Sequence, residues 1–308
     1  MNNIKTKFSI RDLENLSGIK AHTIRIWEKR YNLFKPNRTD TNIRYYSLSS
    51  LQKLLNISFL NKNGYKVSKI ANLESEEIPL LVKEIALSKD SSNHAVNLFK
   101  MAMLNFDKAL FLSTFNNLVN HKSLSAIFYE VFVPLLENIG LLWQTDTITP
   151  AHEHFIFELI KQKILVHTDK ISKVSQIKND GEIYVLFLPD NEIHELGLLF
   201  INYELTQRGF HSIYLGQSVP IDSLKYLTDY YGKIIYVSSF TIKPEKEIIN
   251  DYLIEFSEKI LQNSNHSLFI SGRQAIHIEK EQLDDKITIL DTIKDILDSL
   301  DSTNQQAG

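Results

Sequence analysis

The stretch that decides the fold of the second half of the chain is Ile183-Tyr184-Val185-Leu186-Phe187-Leu188-Pro189-Asp190-Asn191-Glu192-Ile193-His194-Glu195-Leu196-Gly197. Its first six residues are a continuous apolar run of the length of a buried strand. From Leu196 onward, apolar residues recur at helical spacing as far as Arg208-Gly209, which predicts a helix. The stretch therefore turns from the carboxyl end of a strand into a helix. Open α/β sheets present ligand-binding groups at such turns.

His194 lies in this turn between Glu192 and Glu195. A carboxylate beside a histidine fixes its tautomer and raises its basicity, which makes the imidazole a good metal ligand. A solvated loop histidine is the other interpretation. The turn alone leaves both interpretations open.

After this turn the chain alternates between apolar runs and helical patterns. Strands are predicted at 212–216, 233–240, 267–272 and 287–290, and helices at 221–230, 245–262 and 292–300. This alternation predicts an α/β doubly wound parallel sheet. The polar tail 302–308 is expected to be disordered.

The composition limits the class of protein. The chain has 308 residues, of which 43% are hydrophobic and 23% are charged, which is typical of a globular protein of two or three domains. No apolar run approaches the roughly 20 residues of a membrane span, and the N-terminus lacks a signal-peptide pattern. We therefore expect a cytoplasmic protein without membrane contact. The absence of cysteine excludes disulfides and thiolate metal sites.

Charge is distributed unevenly along the chain. Residues 1–70 hold 14 Lys and Arg but only 4 Asp and Glu, out of totals of 34 and 37. A basic end on an acidic body is the electrostatic pattern of a nucleic-acid-binding domain.

The basic end has the pattern of a winged helix-turn-helix. Ser9-Ile10-Arg11-Asp12 fits a capping box that starts a first helix, and Ser17-Gly18 predicts a turn before a second helix near Ala21. The start of the second helix would read bases, through His22, Thr23 and Arg25. Two extended pieces around a polar turn at 37–42 predict a wing. Its Arg38, Arg44 and tyrosine hydroxyls could reach phosphates. We interpret Trp27 as a core residue of this small domain.

The order of motifs from Phe8 to Leu73 resembles the DNA-binding domain of the MerR family of transcriptional regulators. The resemblance rests on Thr23-Ile24-Arg25-Ile26-Trp27-Glu28-Lys29-Arg30-Tyr31 and on Arg44-Tyr45-Tyr46-Ser47, followed by predicted helices at 48–61 and 67–73. It implies DNA contacts from these segments, including Arg30, Tyr31 and Tyr45. Family members that sense metals through cysteines are similar only in this domain.

Residues 93–175 show helical periodicity throughout, with a helix start at Thr149-Pro150. They predict a four-helix bundle behind a helical linker at 76–92. Trp143 precedes the last helix, and Glu153 and His154 lie in its first turn. A solvated first turn is the simpler interpretation of Glu153 and His154.

The bundle and the sheet together resemble the cobalamin-binding module of methionine synthase and its relatives. In that module a helical cap covers the upper face of the corrin, and a flavodoxin-like domain supplies a cobalt ligand from an Asp-x-His-x-x-Gly turn. The turn matches as Glu192, His194 and Gly197, with Glu at the first place. The domain order 1–75, 93–175 and 180–301 is similar to that of the light-responsive CarH and LitR repressors. That resemblance implies that Trp143, Glu153 and His154 surround the adenosyl group of adenosylcobalamin.

The sequence departs from the module at two places, both where the nucleotide tail of cobalamin would lie. The usual Ser-x-Leu and Gly-Gly are here Ser238-Ser239-Phe240 and Ser271-Gly272, which add volume where the tail would lie. The resemblance predicts a repressor that binds double-stranded operator DNA, senses adenosylcobalamin and light, and forms a homo-oligomer, either a dimer or a tetramer. A cobalamin-independent regulator of the same architecture is the first alternative. A corrinoid methyl carrier is the second, and the basic N-terminal domain argues against an enzyme.

Overall fold

The computed structural model describes residues 7–39, 41–74, 76–88, 92–144, 148–173, 179–279 and 283–305. The chain divides into two compact units, Met1–Leu159 and Ile160–Gly308, and the division falls inside one long helix. The finer domain boundaries expected from the sequence stay predictions.

The first unit begins with the helix-turn-helix. Its helices are α1 (Ile10–Ser17), α2 (Ala21–Tyr31), α3 (Leu48–Lys62) and α4 (Val67–Ile70), and its strands are β1 (Lys7–Phe8), β2 (Asn37–Arg38) and β3 (Arg44–Ser47). The expected capping box is present, because the Asp12 amide donates to Ser9 Oγ at 3.1 Å and the Ser9 amide donates to Asp12 Oδ2 at 2.7 Å. Gly18 caps the end of helix α1, and its φ of 73° is left-handed and therefore suits glycine.

The predicted wing is the antiparallel hairpin β2–β3, in which Asn37 pairs with Tyr45. Strand β1 adds to the other side of β3 through Phe8 and Tyr46, so this domain is not purely helical. Trp27 is 8% exposed and Ile24 is fully buried. Trp27 is therefore a core residue, as its sequence context indicated.

The helical bundle predicted for the middle of the chain is present in the first unit. A connecting helix α5 (Glu77–Ser88) precedes α6 (Ser92–Asn105) and α7 (Lys108–Val119), and α8 (Leu124–Ile127) continues through a π-helical turn into α9 (Val133–Gln144). Helix α10 (Pro150–Ser172) follows and reaches into the second unit. Buried phenylalanines pack at the centre of the bundle, with the ring of Phe99 4.9 Å from that of Phe111 and 5.7 Å from that of Phe132.

The second unit is the predicted doubly wound sheet. Five parallel strands, β4 (Asn179–Phe187), β5 (Phe210–Gly216), β6 (Ile234–Ser239), β7 (Ser267–Ser271) and β8 (Ile287–Ile289), lie in the order β5-β4-β6-β7-β8. This is the flavodoxin-like order. The helices are α11 (Leu196–Arg208), α12 (Ile221–Thr228), α13 (Ile249–Phe256) with a π-helical extension to Leu261, and α14 (Ile293–Gln305).

The expectation of a disordered tail from 302 was wrong as far as Gln305. Helix α14 continues to Gln305, because residues 301–305 contain neither Pro nor Gly to end it. Residues 306–308 lie outside the described residues. Within the described part of the chain, no helix is both long enough and apolar enough to cross a membrane.

Candidate functional site

Helix α2 presents a basic face to solvent. His22 and Arg25 are exposed and Thr23 is half-buried, whereas Ile24 and Trp27 of the same helix are buried in the core. This division follows from helical periodicity, since residues three or four positions apart, such as Ile24 and Trp27, lie on the same face of a helix. His22 Nε2 lies 3.3 Å from Thr23 Oγ1. The three side chains proposed to read bases are therefore close together at the start of an accessible helix.

The wing is attached to helix α2 through Glu28. The Tyr46 hydroxyl donates to Glu28 Oε2 at 2.8 Å, and Arg44 Nε lies 3.6 Å from Glu28 Oε1. Tyr46 is fully buried, and burial together with the bond to Glu28 raises its pKa far above that of free tyrosine. The sequence indicated that the tyrosine hydroxyls of the wing could reach phosphates, but the Tyr46 hydroxyl has an internal partner instead.

The other wing residues stay at the surface. Arg38 is exposed, and its Nη1 donates to Asn42 Oδ1 at 2.7 Å. Lys7 Nζ lies 4.9 Å from the centre of the Tyr45 ring. In α2, the guanidinium of Arg30 lies 5.4 Å from the centre of the Tyr31 ring. These cation–π contacts hold aromatic and basic groups together. Their roles on DNA stay predictions.

The residues expected to surround an adenosyl group lie on two helices of the first unit. Trp143 belongs to α9, but its side chain lies outside the described residues. In the first turn of α10, Glu153 is half-buried and His154 is exposed. The buried histidine of this turn is its neighbour His152, whose Nδ1 accepts from the Thr149 amide at 3.1 Å and whose ring stacks on Phe106 at 4.7 Å. His152 therefore caps the helix start.

In the second unit, His194 is held by Glu192. Its Nδ1 lies 2.6 Å from Glu192 Oε1, and its side chain is 30% exposed. We assign the Nδ1–H tautomer, because a carboxylate accepts this bond. That tautomer leaves a lone pair on Nε2, the atom with which a histidine so oriented binds a metal.

Glu192 is itself immobilised by the backbone. Its carboxylate is fully buried and accepts hydrogen bonds from the N–H groups of Ile193, His194, Thr241, Ile242 and Lys243. Burial alone would raise the pKa of Glu192, but the hydrogen bonds from His194 and from these amides outweigh burial and lower the pKa to about 2. Glu192 therefore stays ionised and ties the His194 turn to the loop after β6.

Glu195 plays a different part from the one its position suggested. Its carboxylate accepts from the Tyr214 hydroxyl and from Gln217 Nε2, both at 2.6 Å, and pairs with Lys161 at 2.5 Å. These three partners come from β5, the loop after it and α10, and the sequence did not identify them. Glu195 thus binds the turn to neighbouring elements, whereas Glu192 is the carboxylate that orients His194.

At the positions expected to enclose a nucleotide tail, Ser238, Phe240 and Ser271 are buried and have partners within the protein. Ser238 is fully buried and its hydroxyl donates to the Phe187 carbonyl at 2.9 Å. Phe240 is also fully buried and packs edge-on against Tyr252. Ser271 is 4% exposed, and its carbonyl accepts from the Phe240 amide at 2.7 Å.

Two glycines of this region mark close approaches of main chain and helices. At Gly272 the φ is 109°, and a Cβ would lie 2.5 Å from the Phe240 carbonyl oxygen. At Gly197 a Cβ would lie 3.2 Å from Cδ1 of Ile293 in α14. Helices α11 and α14 therefore lie against each other beside Gly197.

The donor set limits the kind of metal that His194 could bind. Within the part of the chain that the structure describes, no three His, Asp or Glu side chains are grouped to hold a bare ion. A single oriented imidazole would instead suit a metal whose remaining ligands are supplied by a cofactor. His194, oriented by Glu192, would suit the cobalt of a corrinoid, whereas Ser238 and Phe240 at the tail positions are fully buried.

Fold and site thus combine a winged helix-turn-helix and a helical bundle with a flavodoxin-like α/β domain. Residues 8–77 match the family described as MerR HTH family regulatory protein, and residues 96–166 match the B12 binding domain. The second match covers the bundle from α6 into α10. The chain thus contains a MerR-type helix-turn-helix domain and a B12 binding domain.

Among characterised proteins, the chain is similar to two regulators of Myxococcus xanthus. It is 28% identical to the HTH-type transcriptional repressor CarH over 70% of this chain and 73% of that protein. It is 24% identical to the HTH-type transcriptional repressor CarA over 70% of each chain. Among solved structures, the monomethylamine corrinoid protein of Methanosarcina barkeri matches 64% of this chain and 92% of its own, with a TM-score of 0.51 and 15% identity. This last likeness concerns the fold alone.

Proposed function

We propose that this chain is a transcriptional repressor whose binding to double-stranded operator DNA is controlled by adenosylcobalamin and, through it, by light. The DNA-binding half of the proposal is supported by the exposed basic face of α2, by the wing, and by the repressors CarH and CarA as relatives. The ligand-sensing half is supported by the B12 binding domain and by the His194 turn.

The observation that carries the proposal is the 2.6 Å contact between His194 Nδ1 and Glu192 Oε1, with Glu192 held by five backbone amides. An imidazole fixed in this tautomer carries its lone pair on Nε2, the atom that would ligate cobalt. Gly197 lets the following helix pack closely on α14. This chemistry supports the proposed role of His194 as the lower ligand.

The helical bundle is assigned the upper side of the ligand. In this assignment Trp143, Glu153 and His154 contact the adenosyl group, by resemblance to the light-responsive repressors. Adenosylcobalamin supplies a cobalt–carbon bond that visible light breaks. Bound ligand can favour a homo-oligomer only through a higher affinity for the assembled state. Several winged domains in one assembly would then add modest contacts into tight operator binding.

The direct test is to mix the purified full chain with adenosylcobalamin in the dark and record its visible spectrum and oligomeric state before and after illumination. We expect bound corrinoid, a larger assembly in the dark and its dissociation in light. His194→Ala should lose the spectrum of the histidine-ligated cobalt, whereas His277→Ala, which removes an exposed histidine of the same unit, should not. A His194→Ala protein with unchanged spectrum and affinity would refute the assignment of the ligand.

A second candidate function is a regulator of the same architecture that works without cobalamin. It is favoured by the complete burial of Ser238 and Phe240, because these positions would have to open to receive a nucleotide tail. It predicts the same DNA binding, no corrinoid spectrum under any illumination, and an unaltered DNA affinity when adenosylcobalamin is added. The spectrum of the mixture in the dark therefore separates the two candidates.

A further inference from the structure

Lys100 is a buried lysine at the junction of the helix-turn-helix and the bundle. It belongs to α6, and only 5% of its surface is exposed. Its Nζ donates to Asn138 Oδ1 in α9 at 3.0 Å and to the Leu16 carbonyl at the end of α1 at 3.4 Å. Among the described residues no ion pair includes Lys100. Its partners there are neutral oxygens.

This placement is costly for an ammonium group. Lysines are almost never fully buried unless they are paired, and burial of an uncompensated charge is unfavourable. Burial is the larger cause that lowers the pKa of Lys100, and the positive charge of Lys62 adds to it, so the pKa is about 8. Contacts around Lys100 must therefore offset the cost of burying its ammonium group.

The end of α1 supplies such a contact. The last carbonyls of a helix have no partner within it, and α1 has no basic residue in its last turn. The Glu14 carbonyl accepts from the Gly18 amide at 2.8 Å, and the Ser17 carbonyl accepts from Ser58 Oγ at 3.3 Å. The Leu16 carbonyl accepts from Lys100. A cation at this end also complements the negative pole of the helix dipole. The first helix of the DNA-binding domain thus takes part of its C-terminal cap from the bundle.

The other partner of Lys100 is fixed in place. Asn138 Nδ2 donates to the Pro134 carbonyl at 2.6 Å, which orients its amide so that Oδ1 faces Lys100. Asn138 lies in α9, the helix that also contains Trp143. On the other side, the end of α1 leads through Gly18-Ile19-Lys20 directly into α2. Lys100 therefore connects α9 to the turn that sets the position of the recognition helix.

We propose that Lys100 is a positioning residue for DNA recognition, which fixes the turn of the helix-turn-helix to α9 of the bundle together with Asn138. A displacement of α9 then moves the end of α1 and with it α2. This role stands on the contacts of the first unit alone. Only its use in sensing a ligand rests on the proposed function.

The test is a double-mutant cycle on the full chain with Lys100→Met, Asn138→Leu and the combination, and with Lys108→Met as the matched control at an exposed lysine of the same bundle. Two quantities are measured without cobalamin. The first is the affinity for a duplex that the parent chain selects from a random pool. The second is amide hydrogen exchange in the α1–α2 turn, compared with that in α7.

A hydrogen bond from a charged donor stabilises the attachment of α1 to α9. If the free energy of that bond is lost from DNA binding, the affinity for the duplex falls about tenfold. We therefore expect each single variant to bind DNA about tenfold more weakly and the double variant no more weakly than either single. Exchange should become faster in the α1–α2 turn but not in α7. Lys108→Met should match the parent in both measurements.

Parental affinity and parental exchange in both Lys100→Met and Asn138→Leu would overturn the proposal. If Lys100→Met does not fold, Asn138→Leu alone decides. That variant removes the hydrogen bond from Lys100 to α9 and leaves the lysine in place. Additive losses in the double variant would show two independent structural effects and would also overturn it. If the parent selects no duplex even with adenosylcobalamin in the dark, or binds no cobalamin, the proposed function fails. Hydrogen exchange in the α1–α2 turn still tests the attachment of α1 to α9 in that case.

Discussion

Main-chain amides stabilise the buried charge of Glu192. Backbone amides from two segments of chain, Ile193–His194 and Thr241–Lys243, converge on its two carboxylate oxygens. Hydrogen bonds of this kind favour the ionised form and cost no side-chain entropy on the donor side. The extra methylene of Glu, compared with the Asp of the cobalamin module, lengthens the reach of the carboxylate. Glu192 can therefore serve His194 with one oxygen and the loop after β6 with the other.

Replacement of Glu192 by Gln tests this arrangement at the residue scale. An amide nitrogen would face N–H donors at one end, so we expect Glu192→Gln to lower the free energy of unfolding by about 2–4 kcal/mol. The measurement is denaturant unfolding at pH 7. Glu247→Gln, which changes a carboxylate that is 64% exposed, serves as control and should stay within about 0.5 kcal/mol of the parent.

The same substitution has a pH signature. Folding lowers the pKa of Glu192 to about 2. The ionised carboxylate therefore contributes its full stabilisation at any pH above the pKa that Glu192 has in the unfolded chain. This stabilisation is lost as the pH falls toward 2. The difference in unfolding free energy between parent and Glu192→Gln should therefore shrink on acidification. A difference that stays constant down to pH 2 would contradict the role of the ionised carboxylate.

At the scale of elements, the ends of β6 and β7 are joined closely. The Phe240 amide donates to the Ser271 carbonyl at 2.7 Å, and the Gln274 amide donates to the Phe240 carbonyl at 2.9 Å. Gly272 fits between them with a φ of 109°. This junction fixes the path of residues 240–243, which in turn provide amides to Glu192. The glycine therefore supports the His194 turn through one intervening loop.

We expect Gly272→Ala to destabilise the second unit by at least about 3 kcal/mol, because it combines an unfavourable φ with a contact that the main chain cannot relieve. Gly232→Ala is the matched control, since a Cβ there meets nothing within 4 Å, and it should leave stability nearly unchanged. Thermal and denaturant unfolding of both variants provide the comparison. Equal stability of the two variants would show that the loop after β6 can move away from position 272.

Periodicity in the sequence predicted most elements, because burial of a strand or of one helix face is a local property of the chain. The β4–α11 turn, the bundle and the order of strands and helices all followed from it. The partners of the turn did not, because Glu192 binds amides about 50 residues away and Glu195 binds Tyr214. Such pairings depend on how strands align. The sequence does not encode them as a pattern, and the same holds for the bond from Tyr46 to Glu28.

At the scale of the whole molecule, the charge is segregated by function. The first 70 residues carry 14 basic and 4 acidic side chains, and the exposed ones include Arg25 on α2 and Arg38 on the wing. Attraction to DNA is therefore concentrated in one domain, while the acidic remainder disfavours contact with the phosphate backbone. Affinity for any duplex should consequently fall steeply as salt is raised, through release of counterions.

The two arginines should separate the reading of sequence from the attraction to phosphate. Arg25 lies on the helix assigned to the major groove, so Arg25→Ala should reduce discrimination between duplexes by about 1–3 kcal/mol. Arg38 lies on the wing, so Arg38→Ala should weaken binding to all duplexes alike and reduce the slope of log affinity against log salt by about 1. Lys225→Ala, at a half-exposed lysine of the second unit, should change neither quantity. Titrations of selected and scrambled duplexes across a range of salt measure both. If Arg25→Ala and Arg38→Ala had the same effect on both duplexes, α2 would not be the element that reads the sequence.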